Sequence, residues 1–394
     1  MADFPQELID AIIDEVPDSG LAACSLTSTA FVPSSQRRLF RWMSLRDLGA
    51  YERTALLLAS SPHRGQYVRY LALEIKNIPA DYAQLKAILA LLPGIERLSI
   101  GGGQECQIDL AENPYLNDLL SAPSIKCFAL NHLVVPSALI SRAFSSFEQV
   151  TLSLLTITHG AELFELPLSQ LSITDDNSRV SEGGTPPAGL WHLNIISDQF
   201  STMLFSVLQP TILGRLRHLV RLSIVYPPVP ESLQTQFTQL LTMCSGTLEH
   251  LALELEAPLN LPALPVLVSM ELWLDVDLAK TPPLLASIVS QTAACAPHIE
   301  VLALALMDRP KRPPQCQLPF TPSAAEWPAL DSALMDMQDL QEVDFSLRHF
   351  TWNAERYNAF VPYIEQKLPQ AFDAELLQFS QYAAIQHPMD CFME

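Results

Sequence analysis

Charge is scarce in this chain, and basic charge most of all. Charged residues make up 17% of its 394 positions, with 23 Lys and Arg against 43 Asp and Glu, a formal net charge of −20. A surface this acidic repels phosphate backbones and anionic lipid headgroups, so neither nucleic acid nor membrane is an expected partner. The small cluster Arg37, Arg38 and Arg41 does not reverse that balance. Long apolar runs are also missing. The stretch Leu85 to Leu92 breaks far short of the roughly 20 residues a membrane span requires. The first ten residues hold no basic segment followed by an apolar one, so no secretory signal is expected. Cysteines are few and scattered: seven, an odd number, with no Cys-x-x-Cys pair. None of the nine histidines stands at metal-ligand spacing from another His or Cys. Neither a disulfide framework nor a metal or cofactor is expected, and reduced thiols in a cytoplasmic or nuclear protein are.

Catalytic signatures are lacking too. There is no Gly-x-Ser-x-Gly elbow, and Gly101-Gly102-Gly103 has no Lys-Ser/Thr after it to make a phosphate loop. Asp175-Asp176 and the pair Asp275 and Asp277 have no further ligands converging on them in sequence. The chain is not expected to be an enzyme.

What is present is repetition. A six-residue pattern, apolar-x-x-apolar-x-apolar, recurs as VRYLAL at Val68, IERLSI at Ile95, IKCFAL at Ile125, FEQVTL at Phe147, LSQLSI at Leu168 and LWHLNI at Leu190. It continues as LVRLSI at Leu219, LEHLAL at Leu248, LVSMEL at Leu267, IEVLAL at Ile299 and LQEVDF at Leu340, with a degraded copy AELLQF at Ala374. The last four positions alternate, as a strand with one buried face must. Between copies the spacing becomes helical. Tyr82, Leu85, Ile88, Leu89 and Leu92 make one stripe, as do Leu233, Phe237, Leu240, Leu241 and Cys244, and Leu284, Leu285, Ile288, Val289 and Cys295. Pro93-Gly94, Gly246 and Pro297 then mark each helix stop.

The unit is therefore helix, turn, short parallel strand, at spacings of 19 to 41 residues. A closed barrel of eight units is excluded by the number and irregularity of the copies, leaving an α/β fold with an open stack of strands. This pattern resembles the leucine-rich repeat, from about Val68 to Phe379. The resemblance implies a solenoid, a horseshoe with its parallel strands on the concave face. The Asn of that family's repeat is absent, so the turns must satisfy their backbone groups otherwise. The residue between the second and third apolar positions is small in most copies: Ala72, Ser99, Ala129, Thr151, Ser172, Asn194, Ser223, Ala252 and Ala303, with Glu271 and Asp344 the exceptions. Larger side chains beside these positions make Trp191, His192, Arg221, Glu249 and His250 the candidate substrate face. Two loops, 174–189 and 308–323, interrupt the array. The second is proline-rich, and its Pro-x-x-P segment reads as a spacer.

Residues 1–45 form a separate helical module, ahead of the array at 46–380 and a tail at 381–394. Pro5 stands at a favoured first helical position, and Leu8, Ile9, Ile12, Ile13 and Val16 follow on a broad apolar face. Two further short helices are expected, over SGLAACSLTSTAF and VPSSQRRLFRWMSL. So small a module does not bury a self-sufficient core and must meet another surface. It resembles the F-box, in the divergent form of fungal F-box and repeat proteins. The matching residues are Phe4, Pro5, Glu7, Leu8 and Ile9, then Ile12 and Ile13, then Leu21, Cys24, Ser25, Leu26 and Phe31, and last Arg38, Leu39, Phe40 and Arg41. That resemblance implies a substrate adaptor of an SCF-type cullin-RING ubiquitin ligase. Phe4, Pro5, Leu8, Ile9 and Ile12, with Leu21 and Leu26 behind them, would dock on a Skp-family subunit and through it a cullin. The repeats would hold a protein substrate. The alternative is a repeat scaffold with no ligase role, its first helices serving only as a solenoid cap.

Overall fold

The computed structural model describes residues 5–75, 83–102, 106–107, 114–158, 189–196, 210–225, 233–255, 259–275, 281–307, 326–348 and 354–382. The chain is α/β and divides into two compact units, Met1–Pro136 and Ser137–Glu394. None of the described helices is long and apolar enough to cross a membrane.

The first unit opens with helices α1 (Gln6–Asp14), α2 (Asp18–Thr27) and α3 (Val32–Leu39). Ile9, Ile13 and Leu21 form a small core, with Val16, Cys24, Phe31 and Leu39 packed around it. Arg38 closes the module by donating to the carbonyls of Ile13, of Asp14 at 3.0 Å and of Val16 at 2.9 Å, the groups that α1 leaves open at its end. On the outer side Asp10 accepts from Ser34 and, at 2.8 Å, from Gln6, and these bonds hold its carboxyl below the usual range.

The third predicted helix ends early. Trp42–Leu45 is a strand, β1, followed by α4 (Leu48–Ser60), whose N-cap Asp47 accepts from the Ala50 amide at 2.7 Å. Then come β2 (Tyr70–Glu74), α5 (Ala83–Ala90), β3 (Arg97–Gly101), α6 (Pro114–Leu120), β4 (Cys127–Asn131) and the short β5 (Val134–Pro136). Strands β1 to β4 pair in chain order, all parallel, with Met43, Leu71, Leu98 and Phe128 in one row. Phe40-Arg41-Trp42-Met43-Ser44-Leu45 is thus a further copy of the repeat, lying inside the stretch assigned to the helical module.

The second unit runs through α7 (Ser137–Ser146), β6 (Gln149–Ser153), β7 (Thr156–Thr158), β8 (His192–Ile196), α8 (Pro210–Leu216), β9 (Arg221–Val225), α9 (Gln234–Cys244), β10 (His250–Glu254) and β11 (Ser269–Asp275). It ends with α10 (Thr281–Cys295), β12 (Val301–Met307), α11 (Glu326–Met335), β13 (Glu342–Arg348), α12 (Ala354–Lys367), α13 (Pro369–Asp373) and β14 (Leu377–Tyr382). Strands β6 and β8 to β14 pair parallel in chain order. Neither unit's sheet closes on itself. The copy at Leu168 lies outside the described residues.

Most neighbouring copies are tied together in one way. The carbonyl just before one strand accepts two successive amides of the next: Arg41 from Arg69 and Tyr70, Trp191 from Val220 and Arg221, Val220 from Glu249 and His250. The second and fourth strand positions face the helices. Met270 of β11 meets Thr292 of α10, and Phe345 of β13 meets Phe360 of α12 at 6.4 Å between ring centres. First and third positions lie on the other face by strand alternation.

With no asparagine ladder, arginines and a threonine serve the turns. Arg69 reaches the carbonyls of Gln66, Val68 and Gly94, Arg215 those of Phe144 and Phe147, and Thr247 those of Arg217, Leu219 and Cys244. Gly94 permits the first of these, because a Cβ there would stand 2.2 Å from Arg69 Nη1.

Candidate functional site

Two surfaces carry the candidate residues, one in each unit. On the helical module, the apolar residues of α1 divide between inside and outside. Ile9, 4% exposed, and Ile13 point into the small core, while Leu8 and Ile12 remain 51% and 48% exposed. Leu8 and Ile12 are four residues apart on one helix and so form a single apolar stripe. Pro5 is exposed ahead of them. On α2 Leu21 is fully buried and Leu26 is 88% exposed. The docking face expected from sequence therefore loses Ile9 and Leu21 to the module's interior and keeps Pro5, Leu8, Ile12 and Leu26. Phe4 lies outside the described residues. The helical spacing was legible in sequence, but its apolar arc was too broad to say which half packs inward.

The second surface is the sheet face of β8 to β10 turned away from the helices. His192, Arg221 and His250 are partners in register, so they form one row across three adjacent strands. Neighbouring strands are about 4.8 Å apart. Trp191 precedes this row, its ring centre 5.8 Å from that of His192, and exposed Glu249 precedes His250. Arg221 is exposed and the two histidines are half-buried. Burial first, then the Arg221 charge, hold His250 below the usual imidazole range, and Glu249 acts weakly in the opposite sense. All five residues expected on this face thus fall in one neighbourhood.

The next row on the same face is Thr151, Asn194, Ser223, Ala252, Glu271, Ala303 and Asp344, paired in the order the small-residue pattern implied. Asn194 is 6% exposed, and its Oδ1 has no hydrogen-bond partner among the described residues. Among the small residues of this row Asn194 alone carries a side-chain amide. That amide, the largest neutral hydrogen-bonding group in the row, was the signal available in sequence.

The first unit carries a further row, Trp42, Tyr70 and Arg97, which begins on β1, a strand inside the stretch that the sequence pattern assigns to the helical module. Trp42 stacks on Tyr70 with ring centres 5.2 Å apart, and the guanidinium groups of Arg97 and Arg41 lie 4.8 and 5.3 Å from the Tyr70 ring centre. These cation–π contacts give that sheet face an aromatic and basic character in an otherwise acidic chain.

No group of His, Cys, Asp and Glu among the described residues is arranged to hold a metal ion. Both surfaces offer binding chemistry: an apolar stripe in one case, and charged and hydrogen-bonding groups on a strand face in the other. No protein-family model and no curated protein matches the chain.

Proposed function

We propose that this protein is a substrate-recognition adaptor of an SCF-type cullin-RING ubiquitin ligase, acting in the cytoplasm or nucleus. Its F-box-like helices dock on a Skp-family subunit, and its strands, as the concave face of an irregular leucine-rich-repeat solenoid, hold a protein substrate. It performs no chemistry itself. The observation that carries the reading is the exposure of Leu8 and Ile12 on a module that already has a core of its own. Apolar side chains left half in water on one stripe of a helix are surface still to be covered. Completing the burial of each contributes about 1 kcal/mol.

A Skp-family subunit is the partner to test by pull-down with the full chain and with the double variant Leu8→Asp/Ile12→Asp. The wild type is expected to bind. The variant, folded as judged by circular dichroism, is expected to lose about thirtyfold in affinity, from two lost contacts of about 1 kcal/mol each.

The cap reading has one observation in its favour. Helix α3 packs on the 3₁₀ segment Pro62–Tyr67, and Arg64 lies 5.1 Å from the Phe40 ring centre. Such a cap uses the inner side of the module and leaves Leu8 and Ile12 without a role. A wild type that fails to bind the Skp-family subunit would establish the cap and remove the ligase.

A further inference from the structure

The row His192, Arg221 and His250 places a permanent cation on an open strand face. Arg221 is exposed, and among the described residues it has neither an ion-pair nor a hydrogen-bond partner. The imidazole of His250, its register partner, lies beside it. On the same face, two residues beyond His192 on β8 and so about 6.6 Å along that strand, stands the Asn194 amide, diagonal to Arg221 on the adjacent strand, buried and with its Oδ1 unpartnered among the described residues. Buried amides of this kind find partners in native proteins, so an empty one beside a free cation marks a place for an incoming hydrogen-bonding group.

We propose that this face takes an extended acidic segment of a partner protein, with one carboxylate side chain seated between Arg221 and His250 and a main-chain amide paired with Asn194. The proposal rests on the reading of the strand face as the substrate-binding surface and adds the chemical class of what it holds. Arg221 offers a planar fork that matches a carboxylate. The Asn194 amide offers a donor and an acceptor together, which match a peptide's C=O and N–H. Trp191, beside His192, supplies apolar contact next to the charge.

Charge limits the occupant to something modest. Glu249 on the approach to β10 and Glu271 in the neighbouring row flank the site. A single carboxylate on a short segment is tolerated there, and the polyanion of a nucleic acid is repelled. The charged and titratable groups around His250 are Arg221 and His192 on the strands to one side, Glu271 on the strand to the other and Glu249 next to it in sequence. An incoming carboxylate offsets the Arg221 charge and favours protonation of His250, so binding takes up a proton and tightens as pH falls from 8 to 6.

The test is selection of random twelve-residue peptides on the full-length chain, with fluorescence anisotropy of the selected peptides and of a twelve-nucleotide single-stranded RNA. The expected result is enrichment of Asp or Glu at one position. Replacing that residue by Asn or Gln, or introducing Arg221→Gln into the protein, should weaken binding at least tenfold. Asn194→Ala should weaken it several-fold. Binding should tighten from pH 8 to 6 in the wild type, and His250→Gln should remove that dependence. Selected peptides without an acidic position, whose binding is lost in Trp191→Ala but unchanged in Arg221→Gln, would overturn the acidic assignment and leave the face as a protein-binding surface. Failure to select any peptide, or binding of the RNA instead, would overturn both. Arg221 is exposed, and circular dichroism of Arg221→Gln confirms that a lost signal is lost binding.

Discussion

Cys244 shows what burial does to a single titratable group. The thiol is 0% exposed at the end of α9, donates to the Leu240 carbonyl at 3.2 Å, and is pushed up to about 12 by burial in apolar surroundings. Tyr51, fully buried on α4, is raised for the same reason. At pH 8 the native thiol is protonated and covered, so Cys244 is expected to resist alkylation until the chain is unfolded, as mass-spectrometric mapping would check. The linkage has a definite sign. Below pH 9, the ordinary value of the thiol, folded and unfolded states bind the same proton and the contribution of Cys244 is fully present. From pH 9 to about 12 only the unfolded chain releases it, and stability falls, by up to about 1.4 kcal/mol per pH unit. Urea unfolding of wild type and Cys244→Ala at pH 8 and 10.5 should show the wild type losing more stability over that interval. The burial of Cys244 was legible from its place on an i, i+3, i+4, i+7 stripe. The roles of Arg69, Arg215 and Thr247 were not, because most of the carbonyls they serve lie in other copies, 25 to 71 residues away in sequence.

At the scale of elements, the repeat was legible because its cause is local. A strand covered by a helix on one side must alternate, and a turn must precede it. Helix α10 occupies the Thr281–Cys295 stretch that the spacing predicted. The error at β1 has an equally local origin. Phe40 to Leu45 fits the repeat pattern, but it follows a helical stretch closely and was absorbed into it. The pairing of Trp42 with Tyr70 decides the matter. Other element ends depend on distant partners. Helix α13 has no side-chain cap of its own, and Asp331 of α11 supplies one, accepting from the Gln370 and Ala371 amides at 3.0 Å each. Asp331 is 1% exposed, so Asp331→Ala would leave two amides without an acceptor where little water reaches. A loss of about 2–3 kcal/mol is expected in urea unfolding, with hydrogen exchange accelerated first at residues 370 and 371. Asp331→Asn, which keeps one acceptor oxygen, should lose less.

For the molecule as a whole the governing quantity is its charge of −20. Residues 1–70 are nearly balanced, with seven basic residues against eight acidic, so residues 71–394 carry −19, from 16 basic and 35 acidic residues. Self-repulsion of this size opposes the folded state and is screened by salt, since the Debye length is about 10 Å at 0.1 M. Raising sodium chloride from 20 mM to 500 mM should therefore increase the urea midpoint, by the equivalent of roughly 1 kcal/mol. An unchanged midpoint would mean that the carboxylates are too dispersed to repel.

The sequence by itself determined the α/β class, the parallel order of the strands and the positions that face the helices. Each follows from local periodicity, and burial on one side imposes that periodicity on every copy separately. Only the tertiary structure decided which residues of different copies meet. His192, Arg221 and His250 are separated by 29 residues each and become neighbours through register. It likewise decided which half of the α1 apolar arc is covered. A helix can rotate by one residue without changing its own pattern, and the contacts of Ile9 and Ile13 with Leu21 and its neighbours set that rotation and leave Leu8 and Ile12 outside.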